Sequence, residues 1–577
     1  MNQLQPIFTE PAECQDCYKC LRQCSVKGIK IQEGHARIIP ELCVMCGKCV
    51  QVCPVGAKRV RNDLDRAKLL LQMKKKVIVS LAPSFVSEFA GIEQAQLIAG
   101  IKRLGFYGVS ETALGAQEVS ATIAKKLKEE NEGVYISSAC PTVVELVKKY
   151  RSEHAEKVTS LLSPVLAHTK LLRRQYGEDV GVVFVGPCIS KKAEADSHGE
   201  MLEVAITFEE LREWFDSAGI EPGDEQGGAD DDFIPYRANE GALYPIDGGM
   251  IAGIKRNCSV SDSQLMTFSG IENIEQALGS LEEIKTDGPM FIEMLACEGG
   301  CVNGPKAGQQ GKTIVKRSSV LSFAQWDDSA IPREPGVEIE DNWLIEPVRR
   351  MVHSEEEISR ALKTVGKFSR EDELNCGGCG YDSCREFARA LLDGRAETSM
   401  CAGYMRKLAH KKADALIRTM PSGVVIVDEH MRIVESNRRF AELMGEESAA
   451  AFDAKPGLEG AVLDRVIGFG NLFSQVLSSG QQSVEKSVRH GKVILRVTVF
   501  TIDPHRIVGG IVQDITAPAV QKEQVVRKAK EVITNHLSTV QQIAFLLGEN
   551  AAESEVILNS ITESFSADAL GDGTDAD

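Results

Sequence analysis

Sixteen of the 17 cysteines in this 577-residue chain fall into groups that could hold metal. Residues 14–24 read Cys-x2-Cys-x2-Cys-x3-Cys (Cys14, Cys17, Cys20, Cys24), and residues 43–53 repeat the pattern (Cys43, Cys46, Cys49, Cys53) ahead of Pro54. Spacing this short lets one loop wrap three thiolates around an iron-sulfur cube while the fourth cysteine reaches across to a second cube. Cys14, Cys17, Cys20 and Cys53 are therefore expected on one [4Fe-4S] cluster, and Cys43, Cys46, Cys49 and Cys24 on the other. A pair of zinc knuckles is the alternative, although zinc sites seldom repeat an x2-x2-x3 pattern. Cys376, Cys379, Cys384 and Cys401 form a third group, spaced x2, x4 and x16, with glycines that let backbone approach sulfide closely. Zinc is again the alternative there. Cys258 stands alone and reads as an incidental buried thiol.

A fourth group is scattered: Cys140 in Ser137-Ser138-Ala139-Cys140-Pro141, Cys188 in Gly186-Pro187-Cys188-Ile189-Ser190-Lys191-Lys192, and Cys297 with Cys301 in Ala296-Cys297-Glu298-Gly299-Gly300-Cys301. Cysteines so far apart make a site only if the fold gathers them. Residues 63–76 place Leu64, Ala67, Leu70 and Leu71 on one helical face and end in Lys74-Lys75-Lys76, suited to the negative pole of a helix. Residues 77–81 read as a buried strand ending in Ala82-Pro83-Ser84. Through about residue 365, short apolar strands (134–136, 181–185, 290–294) alternate with amphipathic helices (94–104, 143–150), the pattern of an α/β domain with largely parallel sheets. Ligands in such folds sit where strands end and loops begin, and the four cysteines lie at those places.

The three loops resemble, in order, the three signature motifs of the [FeFe]-hydrogenases. The first sixty or so residues resemble the two-cluster bacterial ferredoxins that many members carry in front, with Ser25 in place of a usual proline. The resemblance implies an H-cluster, a [4Fe-4S] cube joined through a bridging cysteine to a diiron unit carrying CO, cyanide and an azadithiolate. It implies Cys140, Cys188 and Cys297 as ligands of the cube and Cys301 as both ligand and bridge. Lys191 would donate a hydrogen bond to an iron-bound cyanide, Ala82, Pro83 and Ser84 would face the second cyanide, and Glu194 would fix the loop. Ala139, however, stands where members built for turnover carry a proton-relaying cysteine. Gly186 and Leu295 replace methionines, Val143 a tryptophan and Val165 a glutamine. Positioned acid-base groups contribute roughly a hundred- to ten-thousandfold in rate, so the resemblance implies low turnover and points to the sensory branch. A metabolic, ferredoxin-linked hydrogenase and a hydrogenase-like iron-sulfur protein without the diiron unit are the alternatives.

Residues 375–401 resemble the small four-cysteine [4Fe-4S] domain of several redox complexes, expected at the far side of the hydrogenase domain. Residues 411–516 contain no cysteine and show strands at 424–428, 432–435, 493–502 and 507–512. With Met420-Pro421-Ser422-Gly423, Asn437, Phe440 and Asp514-Ile515-Thr516 they resemble a PAS domain. His430, His490 and His505 read as surface or turn residues, so a ligand-free dimerising relay is expected. Val526, Ala529, Ile533, His536, Val540, Ile543 and Leu547 keep the heptad spacing of a parallel two-helix seam, which implies a homodimer with His536 as a polar seam residue. Residues 564–577 are acidic and small, a disordered composition.

A net charge of -17 argues against a nucleic-acid surface. No stretch approaches the roughly 18 apolar residues of a membrane span, and no export signal is evident, so a cytoplasmic protein is expected. The expected fold is multidomain α/β: a two-cluster ferredoxin-like module (1–66), the H-cluster domain with parallel sheets (67–365), a four-cysteine Fe-S domain (366–408), an α+β PAS domain (409–517), and a coiled-coil output helix with acidic tail (518–577). The expected function is slow, reversible H2 oxidation, with H2 and protons as substrates and ferredoxin as an external redox partner. Electrons would pass through [4Fe-4S] clusters to an output that addresses a kinase, phosphatase or regulator in trans.

Overall fold

Both cysteine runs at the N-terminus are too short to build a large core, and they fold around two small antiparallel pairs. Ile7–Thr9 (β1) pairs with Lys58–Val60 (β4), and Ile29–Gln32 (β2) with His35–Ile38 (β3). Short helices Lys19–Arg22 and Lys48–Val52 carry the buried Cys20 and Cys49, and each is entered through a left-handed residue, Tyr18 and Gly47. The computed structural model describes residues 5–516 except 131, 259–260, 262–263, 286–287, 309–311, 325–333, 350 and 492, together with 531–534, 536 and 539.

Residues 376–397 do not lie at the far side of the parallel-sheet domain, as the sequence suggested, but pack on this small module. Lys27 Nζ donates to Gly380 O at 3.0 Å, an Arg22 guanidinium nitrogen to Gly378 O at 3.3 Å, and the Ile31 amide to Arg395 O at 3.0 Å. Gly380 makes the approach feasible. Its φ of +92° is left-handed, and a Cβ there would come within 2.9 Å of Leu21.

Near-continuous apolar runs become strands buried on both faces. One sheet has the order β6-β5-β8-β9, built from Gly108–Glu111 (β6), Val77–Leu81 (β5), Gly181–Gly186 (β8) and Val204–Thr207 (β9), all parallel. A second parallel sheet runs Leu265–Ser269 (β10), Pro289–Leu295 (β11), Gly133–Ile136 (β7). Ile78, Val79, Val182, Val183 and Val185 of the first sheet are fully buried, with Leu97, Val119 and Leu172 from the covering helices. His168, on the helix Pro164–Tyr176, pins two of these strands: Ser80 Oγ lies 2.8 Å from Nδ1 and Ser110 Oγ 2.8 Å from Nε2. Burial pushes its pKa down to about 3, so the ring is a neutral bridge between hydroxyls.

The chain divides into two compact units, Met1–Glu397 and Thr398–Asp577. The second unit starts with the helix Ala402–Thr419 and contains one antiparallel sheet of order β13-β12-β16-β15-β14. Its strands are Gly423–Asp428 (β12), Ile433–Ser436 (β13), Ser483–His490 (β14), Val493–Asp503 (β15) and Ile507–Asp514 (β16). Leu495, Val497 and Val499 are fully buried, as their alternation requires. The Phe473 ring fills the space above Gly510, where a Cβ would come within 2.3 Å of it. Of the seam positions between 526 and 547, Ile533 and His536 are among the described residues and are helical. The other seam positions and the acidic tail lie outside them. Among the described residues no helix is long and apolar enough to cross a membrane.

Candidate metal centre

Each scattered cysteine follows the C-terminal end of a parallel strand. Cys140 caps the helix Pro141–Tyr150 after β7, Cys188 lies between β8 and the helix Ser190–Ser197, and Cys297 follows β11. Cys301 opens the short turn Cys301–Asn303, reached through Gly299 and Gly300, which take φ of +75° and +96°. Glycine at 300 is also a steric requirement, since a Cβ would come within 2.4 Å of Pro245 O.

The topology brings the four thiols within range of one another's charge. Burial pushes the Cys140, Cys297 and Cys301 thiols up, and the charges of their neighbours push further: Cys188 acts on all three, and Cys140 acts on Cys297 and Cys301. Thiolates crowded out of water oppose one another's ionisation, and bound iron would offset that opposition. Lys191 supplies a compensating cation, acting on Cys140 and Cys301. Its ammonium donates to Glu194 Oε2 at 2.7 Å and Ser163 Oγ at 2.9 Å, all three side chains being buried. Two of its three donor positions are thus used and the third is left for a ligand. Ala82 and Ser84 are buried beyond β5, and Ser84 Oγ has no hydrogen-bond partner among the described residues. A buried orphan hydroxyl, an ammonium with a spare donor and four converging thiols fit an anionic iron-sulfur group with polar ligands.

The departures from the hydrogenase motif have structural counterparts. Gly186 cannot carry a longer side chain here, because the Phe184 ring lies 2.5 Å and Ala82 Cβ 2.8 Å from where its Cβ would be. The Phe184 ring thus fills the space that a side chain at 186 would take. Val143 and Val165 are fully buried. Ala139 packs against the apolar core and donates its amide to Ser137 Oγ, whose hydroxyl turns to Met250 Sδ at 3.2 Å. The hydroxyl beside position 139 is thus turned to a thioether and not to an acid. An Ala139→Cys variant is accordingly expected to gain less than about tenfold in H2 turnover, well below the usual worth of a positioned acid-base group. Single-turnover kinetics check this, and a hundredfold gain would show that a relay ending at 139 is intact.

Glu293 was not singled out from the sequence. It lies in β11, 1% exposed, and accepts from the Gly248 amide at 2.9 Å and the Met250 amide at 3.2 Å. Burial raises its pKa to about 7 against those bonds and one from the Thr267 side chain, and its charge acts on the Cys301 thiol. Thr267 is its register partner in β10, is exposed, and lines an open cavity of about 360 Å³ with Ser269, Asn273 and Gln276. The signal was a lone acid inside Met-Phe-Ile-Glu-Met-Leu, a strand otherwise apolar throughout.

The second N-terminal cysteine run abuts this centre. Lys149 Nζ donates to Cys43 O at 2.8 Å and the Tyr150 hydroxyl to Leu42 O at 2.6 Å. The charge of Cys46 reaches the Cys297 thiol. In the third group Cys376 is exposed, Cys379 half-buried and Cys384 buried, with the Cys384 amide donating to Asn375 Oδ1 at 2.8 Å.

Comparison with known proteins agrees with this arrangement. The family model for the iron only hydrogenase large subunit, C-terminal domain, matches residues 75–305. A 4Fe-4S binding domain model matches residues 36–59, and the model named FeS matches residues 372–402. Iron hydrogenase 1 of Clostridium pasteurianum is 26% identical over 307 residues, covering 44% of this chain and 53% of that protein. The NADP-reducing hydrogenase subunit HndD of Solidesulfovibrio fructosivorans is 24% identical over 395 residues, covering 55% of this chain and 67% of its own. The chain thus spans about half the length of the first of these curated relatives. A solved variant of [FeFe]-hydrogenase HydA1 from Chlamydomonas reinhardtii is 17% identical, with a TM-score of 0.39, covering 50% of this chain and all of that one. The domain that spans residues 75–305 is thus similar to the C-terminal domain of the iron only hydrogenase large subunit.

Proposed function

We propose that this chain is a sensory [FeFe]-hydrogenase that oxidises H2 slowly and reversibly and passes the electrons to an output unit. The observation that carries the reading is the combination at the C-terminal ends of the two parallel sheets: four cysteines and Lys191 lie within range of one another's charge, while Ala139 stands where the resemblance calls for a proton relay. When bound, the H-cluster supplies the iron position and the base at which H2 is cleaved. Cys140, Cys188, Cys297 and Cys301 would hold it, Lys191 and Ser84 would donate to its polar ligands, and Glu194 would keep the Lys191 ammonium in position. Phe184 and the apolar side chains around it exclude water. Proton traffic would run between Glu293 Oε atoms and solvent by way of the Thr267 hydroxyl.

Electrons would leave through the cluster of Cys43, Cys46, Cys49 and Cys24, whose loop abuts Cys297. The sheet order β13-β12-β16-β15-β14 supports the PAS reading of the second unit, and the Phe473 ring over Gly510 supports a relay without an internal ligand. Asn437 ties that unit together: its Oδ1 accepts from the Val424 and Phe440 amides, and its Nδ2 donates to Ile417 O at the end of the entering helix. Movement of that helix would therefore be felt by the sheet.

Infrared spectra of the matured chain test the reading. CO and cyanide bands that change on H2 addition are expected, together with H2-dependent hydrogen exchange in residues 402–516. A matured chain without such bands would sink the hydrogenase assignment. Bands that respond to H2 while exchange in the second unit stays constant would sink the sensory part alone.

A further inference from the structure

The N-terminal module contains a buried cation that neither the cysteine pattern nor the hydrogenase reading uses. Lys58 lies in β4 directly opposite Thr9 of β1, and it is 3% exposed. Its ammonium donates to Thr9 Oγ1 at 2.5 Å and to Ala36 O of β3 at 2.7 Å, both neutral acceptors. Among the described residues no carboxylate pairs with it. A charged group taken out of water without a counter-ion is costly, so its compensation has to come from elsewhere in the module. The helix Lys48–Val52, which carries Cys49, packs against β4. The lysine's charge acts on Cys20 of the first run and on Cys43 and Cys49 of the second, opposing the burial that pushes these thiols up. Lys27, Lys48 and Lys149 act on Cys24, Cys46 and Cys43, all expected on the second cluster, whereas Lys58 acts on thiols of both.

We propose that Lys58 is the shared counter-ion of the two N-terminal [4Fe-4S] clusters and sets both to higher reduction potentials than their buried setting would otherwise give. The proposal rests on the two-cluster reading of this module and not on the sensory one. A cube with four thiolates is a dianion when oxidised and gains one negative charge with each electron accepted. A fixed positive charge buried near the cubes would therefore stabilise the reduced form of each, most strongly where water is excluded. Thr9 Oγ1 and Ala36 O act as positioning groups that hold the ammonium between the two runs.

The test is an EPR-monitored potentiometric titration of the full chain with its iron-sulfur clusters assembled, in wild type, Lys58→Met, Lys58→Gln and Lys58→Arg. In Lys58→Met both ferredoxin-type signals should titrate lower, with the reduced-to-oxidised ratio at a fixed potential falling at least tenfold, about 59 mV for a one-electron couple. The cubane held by Cys140, Cys188, Cys297 and Cys301 should not move, and Lys58→Arg should recover most of the shift. Loss of clusters from Lys58→Met and Lys58→Gln but not from Lys58→Arg would equally support a required charge. Unchanged potentials in a cluster-complete Lys58→Met, or loss of clusters from all three variants, overturns the proposal. A wild-type chain without two ferredoxin-type signals overturns the two-cluster reading itself.

Discussion

Replacing Glu293 by Gln is expected to lower H2 turnover by roughly a hundred- to ten-thousandfold, the usual worth of a positioned acid-base group. The substitution keeps the shape of the side chain and an acceptor for the Gly248 and Met250 amides, and removes the ability to hold a proton. With a pKa raised to about 7, the wild-type carboxyl is an acid below that pH and a base above it. H2 oxidation needs a proton acceptor and should rise as pH passes through 7, and H2 evolution should fall over the same window. Both limbs should flatten in Glu293→Gln, and Thr267→Val, which cuts the link to solvent, should show a milder version. Stability supplies an independent readout. A carboxyl raised from 4.5 to about 7 carries no penalty below the unfolded value, because both states are protonated there. The penalty grows between those two pH values and reaches about 3 kcal/mol above the upper one. The Gln variant lacks this term, so its stability relative to wild type should improve as pH rises from 4.5 to 7. Retention of full turnover and of the pH limb near 7 would remove Glu293 from the proton route.

How far such a site can be read from sequence depends on whether chemistry or packing marks its residues. The cysteine runs declare themselves by spacing, and β5, β8 and β11 by apolar continuity, since strands buried on both faces have no polar alternation to hide in. Ser483–His490 was not recognised as a strand because it lies at a sheet edge, where only Val484 and Val488 reach the core. Glu293 sat inside a correctly placed strand, and its meaning came from the neighbouring strand: Thr267, Gly248 and Met250 are distant in sequence and adjacent in space. The position of residues 376–397 was misjudged for the same reason, because nothing local shows that Gly380 will lie on Leu21. Lys191 and Lys192 make the point most sharply. They are adjacent and chemically identical, yet on a helix neighbouring residues face about a hundred degrees apart. One serves the metal centre and the other fastens two parts of the first unit.

Lys192→Met is expected to destabilise the first unit by about 3–5 kcal/mol, the range for stripping one partner from a buried ion pair. Lys192 is almost fully buried, and its ammonium donates to Asp63 Oδ2 at 2.9 Å, Glu210 Oε1 at 2.8 Å and Ala205 O at 3.2 Å. Asp63 precedes the helix Leu64–Met73, and Glu210 closes a capping box with Thr207 at the start of Phe208–Ala218 while accepting the Asp63 amide at 2.6 Å. Burial works against ionisation of Asp63, but Lys192, Arg61 and Arg66 prevail and hold it below the usual carboxylate range. In wild type this contribution is present above the unfolded value near 3.8 and is lost only as pH falls below it. In Lys192→Met, Glu210 keeps its hydrogen bonds and loses its only salt-bridge cation among the described residues. Lys148→Met is the control, because its partner Glu145 is a third exposed on the same helix, and such a pair is worth less than about 1 kcal/mol. Urea midpoints for the first unit at neutral pH decide the matter. A Lys192→Met deficit no larger than that of Lys148→Met would mean that the Arg61, Arg66 and Asp196 contacts hold the junction without it.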